Sequence, residues 1–325
     1  MNVLRSAYDP ASSKTPHGRI EALARHTHEG LRRVLAKAPW VIAVVRAVFY
    51  PFALALLGYI AYRAAMETDW SSVSYAHLVA AFVAAVVWWV SLAVAWASLI
   101  GDRAGVVSWC RTQVARYVPG AIWVVIARAT SVKGRLPDKL TAVTAEYVIV
   151  LLIALAAGGV LAGVEDWRWF ALVPLAAAPL VASGWLERRT KLTRGGIHRT
   201  TVAYSVGYLA YGVSAVLVQV AISGDGDLTD MLYVAGAACV AWAVGLLAVF
   251  APGGVGVREI AYVWMLSGLY PTVELQAAAV ATRLITVLAE LAVLAVVSRP
   301  RPHRLDAVPR SAGSEDARWQ PTAKG

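Results

Sequence analysis

Twice in this chain a proline-glycine pair precedes a short apolar stretch that carries an arginine: Pro119-Gly120 ahead of Arg128, and Pro252-Gly253 ahead of Arg258. The second stretch, 248 to 266, reads AVFAPGGVGVREIAYVWML and follows a long run without charge. Pro252 lacks an N–H, and Gly253, Gly254 and Gly256 favour unusual dihedrals, so one helix is expected to end here and another to begin. The new N-terminus presents amide donors and a partial positive charge, and Arg258 adds a full one. That is an anion site in outline. GGVGVRE lacks the third glycine and the preceding strand of a dinucleotide fingerprint, and there is no Walker A motif, so ATP-driven work by this chain alone is disfavoured.

Other charges lie in apolar surroundings. Arg283 falls near the middle of the last apolar run, with Glu290 two turns later on the same helical face. A charge at the bilayer centre costs from about 2.5 to above 10 kcal/mol, so both are expected to face the bundle interior or a wet cavity. Arg283 has three possible partners, Glu259, Glu146 or a substrate phosphate, and a purely structural ion pair is equally open to it and to Glu290. Arg258, Arg283 and Arg128 are the candidate phosphate contacts. Glu259, Glu146 and Glu290 are the candidate counter-charges or acceptors of a proton or cationic headgroup. Pro119, Gly120, Pro252, Gly253, Gly254 and Gly256 are the candidate hinges.

The elements that must position these residues are helices in a membrane. Of 325 residues, 59% are hydrophobic and 15% charged, a balance foreign to a soluble domain of this length. Apolar runs at about 41–62, 77–100, 147–164, 169–186, 201–223, 231–252 and 273–298 are long enough, or nearly so, to cross a core of about 30 Å. None shows the alternation of a barrel strand. The fold class is therefore all-α, a polytopic transmembrane helix bundle with about eight crossing segments and broken or re-entrant short helices. The piece 254–270 supplies the eighth crossing, and 119–130 dips in and returns or lies at the interface.

Orientation follows from Lys and Arg. They crowd residues 1–40, the 101–142 connection and the 187–199 connection, while the other short loops carry Glu67, Asp69, Glu165, Asp166, Asp225, Asp227 and Asp230. Both termini are expected on the cytoplasmic side of a cell membrane. Residues 1–40 read as a basic segment, either an amphipathic surface helix or a simple orienting flank. Residues 41–298 form the transmembrane domain, and 299–325 a disordered tail. No cleavable leader is expected, because polar sequence precedes the first apolar run.

The net charge of +10 does not imply nucleic-acid binding, since the basic residues sit in gaps between apolar runs. The two cysteines, Cys110 and Cys239, and the six scattered histidines suggest neither a disulfide nor a metal site, and no cofactor is expected. Trp88, Trp89 and Trp123 are assigned to core packing.

RYVPGAIWVVIAR at 116–128, AEYV at 145–148, APGGVGVRE at 251–259 and TRL at 282–284 resemble motifs of the lysylphosphatidylglycerol synthase transmembrane family, also called flippase-like membrane proteins. The resemblance covers roughly residues 40–298. It implies an all-helical bundle with broken helices, a role in moving a lipid between leaflets, and importance for Pro119, Gly120, Arg128, Glu146, Pro252, Gly253, Gly256, Arg258, Glu259 and Arg283. Full-length synthases carry a soluble aminoacyltransferase domain after the membrane part, so this chain is not expected to make lysyl lipid itself.

The leading expectation is an integral membrane flippase or translocator, not an enzyme, acting on a phospholipid or a polyprenyl-phosphate-linked lipid. Its partners would be membrane lipids with an anionic or phosphate-bearing headgroup, with a homo-oligomer or a partner enzyme left open. A small-solute or ion transporter and a non-transporting membrane scaffold for a separate enzyme are the alternatives.

Overall fold

The computed structural model describes residues 71–117, 122–131, 136–189, 192–193, 195–224, 226–248 and 251–298, with a few residues between 55 and 67. The expected surface helix in 1–40, most of the first span, the Pro119-Gly120 turn and the tail 299–325 lie outside the described residues. The described residues are helical throughout, with no strand among them. In chain order they form α1 (Tyr75–Ile100), α2 (Gly105–Gln113), α3 (Ile122–Ser131), α4 (Leu136–Ala162), α5 (Ala177–Arg189), α6 (Gly196–Ser223), α7 (Leu228–Leu247), α8 (Val257–Leu266) and α9 (Thr272–Val297). Tighter 3₁₀ turns occupy Val114–Tyr117, Trp167–Ala176 and Pro252–Gly254.

Helices α1, α4, α6, α7 and α9 are long and apolar enough to cross a membrane. At 1.5 Å per residue they measure about 30 to 42 Å. Their outer faces confirm the solvent they are built for. On α1 the exposed side chains include Val79, Val83, Val87, Val90 and Val94, while Ala81, Ala85, Trp88, Leu92 and Ala95 turn inward. On α6 Val202, Val206, Leu209 and Val213 are exposed. Buried Arg128, Glu146, Glu259 and Glu290 lie inside. Branched apolar residues outside and charges inside is the arrangement hydrocarbon demands. The chain is a multi-pass membrane protein.

Five single helices of spanning length are thus described, against the eight crossings expected. Residues 169–186 do not form one helix: Asp166 caps a 3₁₀ stretch, Pro174 sits inside it, and α5 begins only at Ala177. A proline cannot donate to the ladder and crowds the preceding turn, which explains the break. The 3₁₀ stretch lies against α4, where a Cβ on Gly159 would come within 2.6 Å of the Trp169 carbonyl oxygen. Helix α8 has ten residues, about 15 Å, roughly half of the hydrocarbon thickness, so alone it does not supply the eighth crossing.

The centre of the bundle is an antiparallel pair, α1 with α6. Ser74 N–H donates to the Ala221 carbonyl at 3.0 Å, Ser214 Oγ to Ala81 at 2.9 Å and Thr200 Oγ1 to Ala95 at 2.9 Å. Gly207 faces Trp88. Positions 74, 81, 88 and 95 therefore meet 221, 214, 207 and 200, a step of seven on each helix, the register of a coiled-coil seam. Small and hydroxylated residues on α6 let the backbones approach and tie them together.

Helices α4 and α7 cross where Gly158 meets Gly236. A Cβ on Gly236 would lie 2.5 Å from the Ala162 nitrogen, a backbone atom that cannot move aside. Gly236→Val is accordingly expected to lose about 1–3 kcal/mol through overpacking. A lowered thermal unfolding midpoint in detergent would register it; an unchanged midpoint would refute the crossing.

Candidate functional site

The site is built from the break after α7. Helix α7 stops at Leu247, the chain turns through Pro252–Gly254, and α8 starts at Val257. Gly253, Gly254 and Gly256 have φ of 58°, 71° and 82°, a region that a side chain makes costly. Pro252, Gly253, Gly254 and Gly256 thus all lie in the break between α7 and α8.

Two glycines also make room for Arg258. A Cβ on Gly245 would sit 2.2 Å from Arg258 Cγ, and one on Gly254 would sit 3.0 Å from Arg258 Nε. The side chain is threaded between the end of α7 and the turn, with its guanidinium 5.2 Å from the centre of the Trp242 ring. Among the described residues Arg258 makes no salt bridge, and its buried Nε has no hydrogen-bond partner.

Glu259 is engaged through both of its oxygens. Its Oε2 accepts the Gly256 N–H at 2.7 Å, a capping contact that uses one of the donors at the start of α8. Its Oε1 receives Arg283 at 3.1 Å, and Arg283 Nη2 also donates to the Gly253 carbonyl at 3.3 Å. Of the three partners open to Arg283, the structure selects Glu259. The pair fixes α9 to the turn, and the anion-attracting role of the helix N-terminus passes largely to Arg258.

Arg128 and Glu146 form a second pair, with Arg128 only 1% exposed. Trp109 Nε1 donates to Glu146 at 2.8 Å, Arg128 Nε donates to Thr112 at 2.9 Å, and the guanidinium lies 5.1 Å from the Trp96 and Trp109 ring centres. Arg128 is held on several sides, as a buried guanidinium must be. Helices α3 and α8 both have ten residues, yet Arg128 is in the last turn of α3 and Arg258 in the first turn of α8. Their arginines do not occupy equivalent positions, so the two stretches are not matched as repeats at this point.

Glu290 pairs with Arg116, whose guanidinium lies 4.7 Å from the centre of the Trp89 ring. Arg116 looks in sequence like one more topology charge of the basic connection. It instead turns inward from the 3₁₀ turn after α2. Trp88 and Trp89, assigned to core packing, are indeed buried, whereas Trp123 is 42% exposed and belongs to the outer surface.

These elements enclose a cavity of about 130 Å³ whose wall includes Trp88, Trp242, Arg116, Arg128, Glu146 and Arg258. A second, of about 30 Å³, lies on the other side of Arg258 and is bounded by Glu259, Thr282 and Arg283. Thus Arg258, Arg128, Arg116 and Glu146 share the larger space, Arg258, Glu259 and Arg283 the smaller, and Glu290 reaches the larger one through Arg116. Among the described residues four arginines of the site meet three glutamates, and Arg258 is the one without a carboxylate partner.

The hydrogen-bond inventory points the same way. Trp88 Nε1, Trp242 Nε1 and Arg258 Nε are buried without a protein partner, and all three residues line the larger cavity. Indole and guanidinium nitrogens only donate. The wall offers these unmet donors beside one unmet acceptor, Glu146 Oε2, and among the described residues one net positive charge, which is what a desolvated oxyanion needs. Sequence reasoning missed Trp242 and Arg116; the seven-residue spacing of Trp89 and Trp96 was the available hint that one face of α1 carries rings to an interior site.

Set against known proteins, the chain matches no protein-family model, no curated protein and no solved structure.

Proposed function

We propose that this protein moves a lipid with an anionic, phosphate-bearing headgroup between the leaflets of its membrane, the headgroup passing through the cavity beside Arg258. The observation that carries the reading is a guanidinium with no counter-charge among the described residues, inside an apolar bundle, beside a cavity with unmet donors. A phosphate crosses hydrocarbon slowly because its water must be stripped away. Fixed donors that replace that water lower the barrier, and a helix pair broken at glycines gives them a polar place to stand. The resemblance of APGGVGVRE and its companions to flippase-like membrane proteins agrees with this reading. It assigns the chain no bond-making chemistry.

The test is translocation in liposomes. The full chain is reconstituted in vesicles containing a trace of fluorescent phosphatidylglycerol, and a membrane-impermeant reductant bleaches the outer leaflet. Bleaching beyond the outer-leaflet share, at a rate rising with protein content, is the expected result. Bleaching that stops where protein-free vesicles stop, with folded protein present, would end the proposal.

A further inference from the structure

The smaller cavity has a chemistry of its own. It lies between α6, α7, α8 and α9, and Arg258 and Arg283 both line it. Thr282 lines it too; this residue is 7% exposed, and its Oγ1 is buried without a hydrogen-bond partner. Glu259 is the carboxylate on this wall, and both of its oxygens are engaged, one by Arg283 and one by the Gly256 N–H. Two guanidinium groups against one carboxylate leave a net positive charge around a small space that also offers a free hydroxyl.

Size restricts what can answer that charge. A cavity of this kind needs roughly 10–15 Å³ to hold one water. About 30 Å³ is little more than that, so the space suits a small monatomic ion better than a bulky oxyanion. A neutral water could satisfy Thr282, but it would leave the guanidinium charge uncompensated in a low-dielectric interior, where an opposite charge interacts most strongly. We infer that the cavity between Arg258, Arg283 and Thr282 binds a single halide ion, chloride under ordinary conditions. The guanidinium groups supply charge-assisted donors and the Thr282 hydroxyl turns its proton toward the ion.

Because Arg258 also lines the larger cavity, halide and headgroup compete for one guanidinium charge, and the halide must weaken or leave as a headgroup approaches. The inference does not depend on lipid movement and is tested without lipid. The full chain, purified in an uncharged detergent, is unfolded thermally while sodium chloride or sodium bromide replaces sodium gluconate at constant ionic strength. A ligand that binds only the folded state raises the midpoint saturably. Chloride and bromide are expected to do so, gluconate being too large to enter. Thr282→Val, which keeps the shape and removes the hydroxyl, is expected to raise the halide concentration needed at least tenfold, and Thr282→Ser to restore it. Arg258→Gln is expected to abolish the response; should that variant not fold, the Thr282 pair decides. A parent midpoint no more sensitive to halide than to gluconate overturns the inference, and so does a full halide response in Thr282→Val. Halide binding without lipid translocation would sink the proposed function and leave this site standing; the reverse result would do the opposite.

Discussion

Arg258→Gln is expected to reduce headgroup translocation by at least tenfold while the bundle stays folded. Glutamine keeps a polar, unbranched side chain in the slot between Gly245 and Gly254 and removes only the charge and the fork of donors. The other three arginines of the site are already tied to Glu146, Glu290 and Glu259, so none can replace it without abandoning a carboxylate. A hydrogen bond to a charged group contributes about 1.5–3 kcal/mol, which corresponds to roughly 10- to 150-fold in rate if the bond is made where the headgroup is most dehydrated. Arg258→Lys separates charge from geometry. It retains the positive charge but loses the planar fork of donors that lies 5.2 Å from the Trp242 ring centre, and an intermediate rate is expected. The vesicle assay reads all three proteins, with circular dichroism as the check on fold. A parental rate in Arg258→Gln would show that the unmatched guanidinium has no part in transport.

Much of the scaffold for that arginine can be read from the residues, because burial in lipid leaves a simple signature. The apolar runs at 77–100, 201–223, 231–252 and 273–298 predict α1, α6, α7 and α9 to within about five residues at each end. The run at 147–164 finds α4 but misses its beginning, since Leu136–Glu146 carries Asp138, Lys139 and Glu146 and reads as a polar loop. Hydropathy sees lipid contact, and this segment has its polar side turned to protein. The run at 169–186 is the opposite case, apolar enough to cross but interrupted by Pro174, which length alone does not register.

At the site, residue type and spacing reveal which charges lie inside, yet not which charge answers which. Glu290 shares a helix face with Arg283, but it pairs with Arg116, distant by 174 positions. That choice depends on how α9 packs against α1 and the turn after α2, a tertiary fact with no local signal. The same holds for Trp242, an unremarked ring in an apolar run until α7 and α8 bring it to Arg258. The glycines are the exception. Positive φ at Gly253, Gly254 and Gly256 follows from the turn that Pro252 begins, and the sequence shows it directly.

The pairing also predicts where the bundle is most vulnerable. Glu146→Ala is expected to destabilise the protein by about 3–5 kcal/mol, because it strands Arg128 inside with its charge unanswered and takes the acceptor of Trp109 Nε1 as well. Thr112 and the rings of Trp96 and Trp109 remain around the guanidinium, and they provide contacts without a negative charge. Restoring neutrality should recover much of the loss, so the double variant Glu146→Gln with Arg128→Met is expected to be more stable than Glu146→Ala and close to the parent. Buried ion pairs often add little over apolar residues of similar shape, whereas half a pair is always costly. Thermal unfolding in detergent of the parent, Glu146→Gln, Arg128→Met and the double variant closes the cycle, with Glu146→Ala measured beside them. If the single changes cost nothing, Arg128 must have a second counter-charge or reach water, and the arithmetic that leaves Arg258 as the one unmatched cation fails with it.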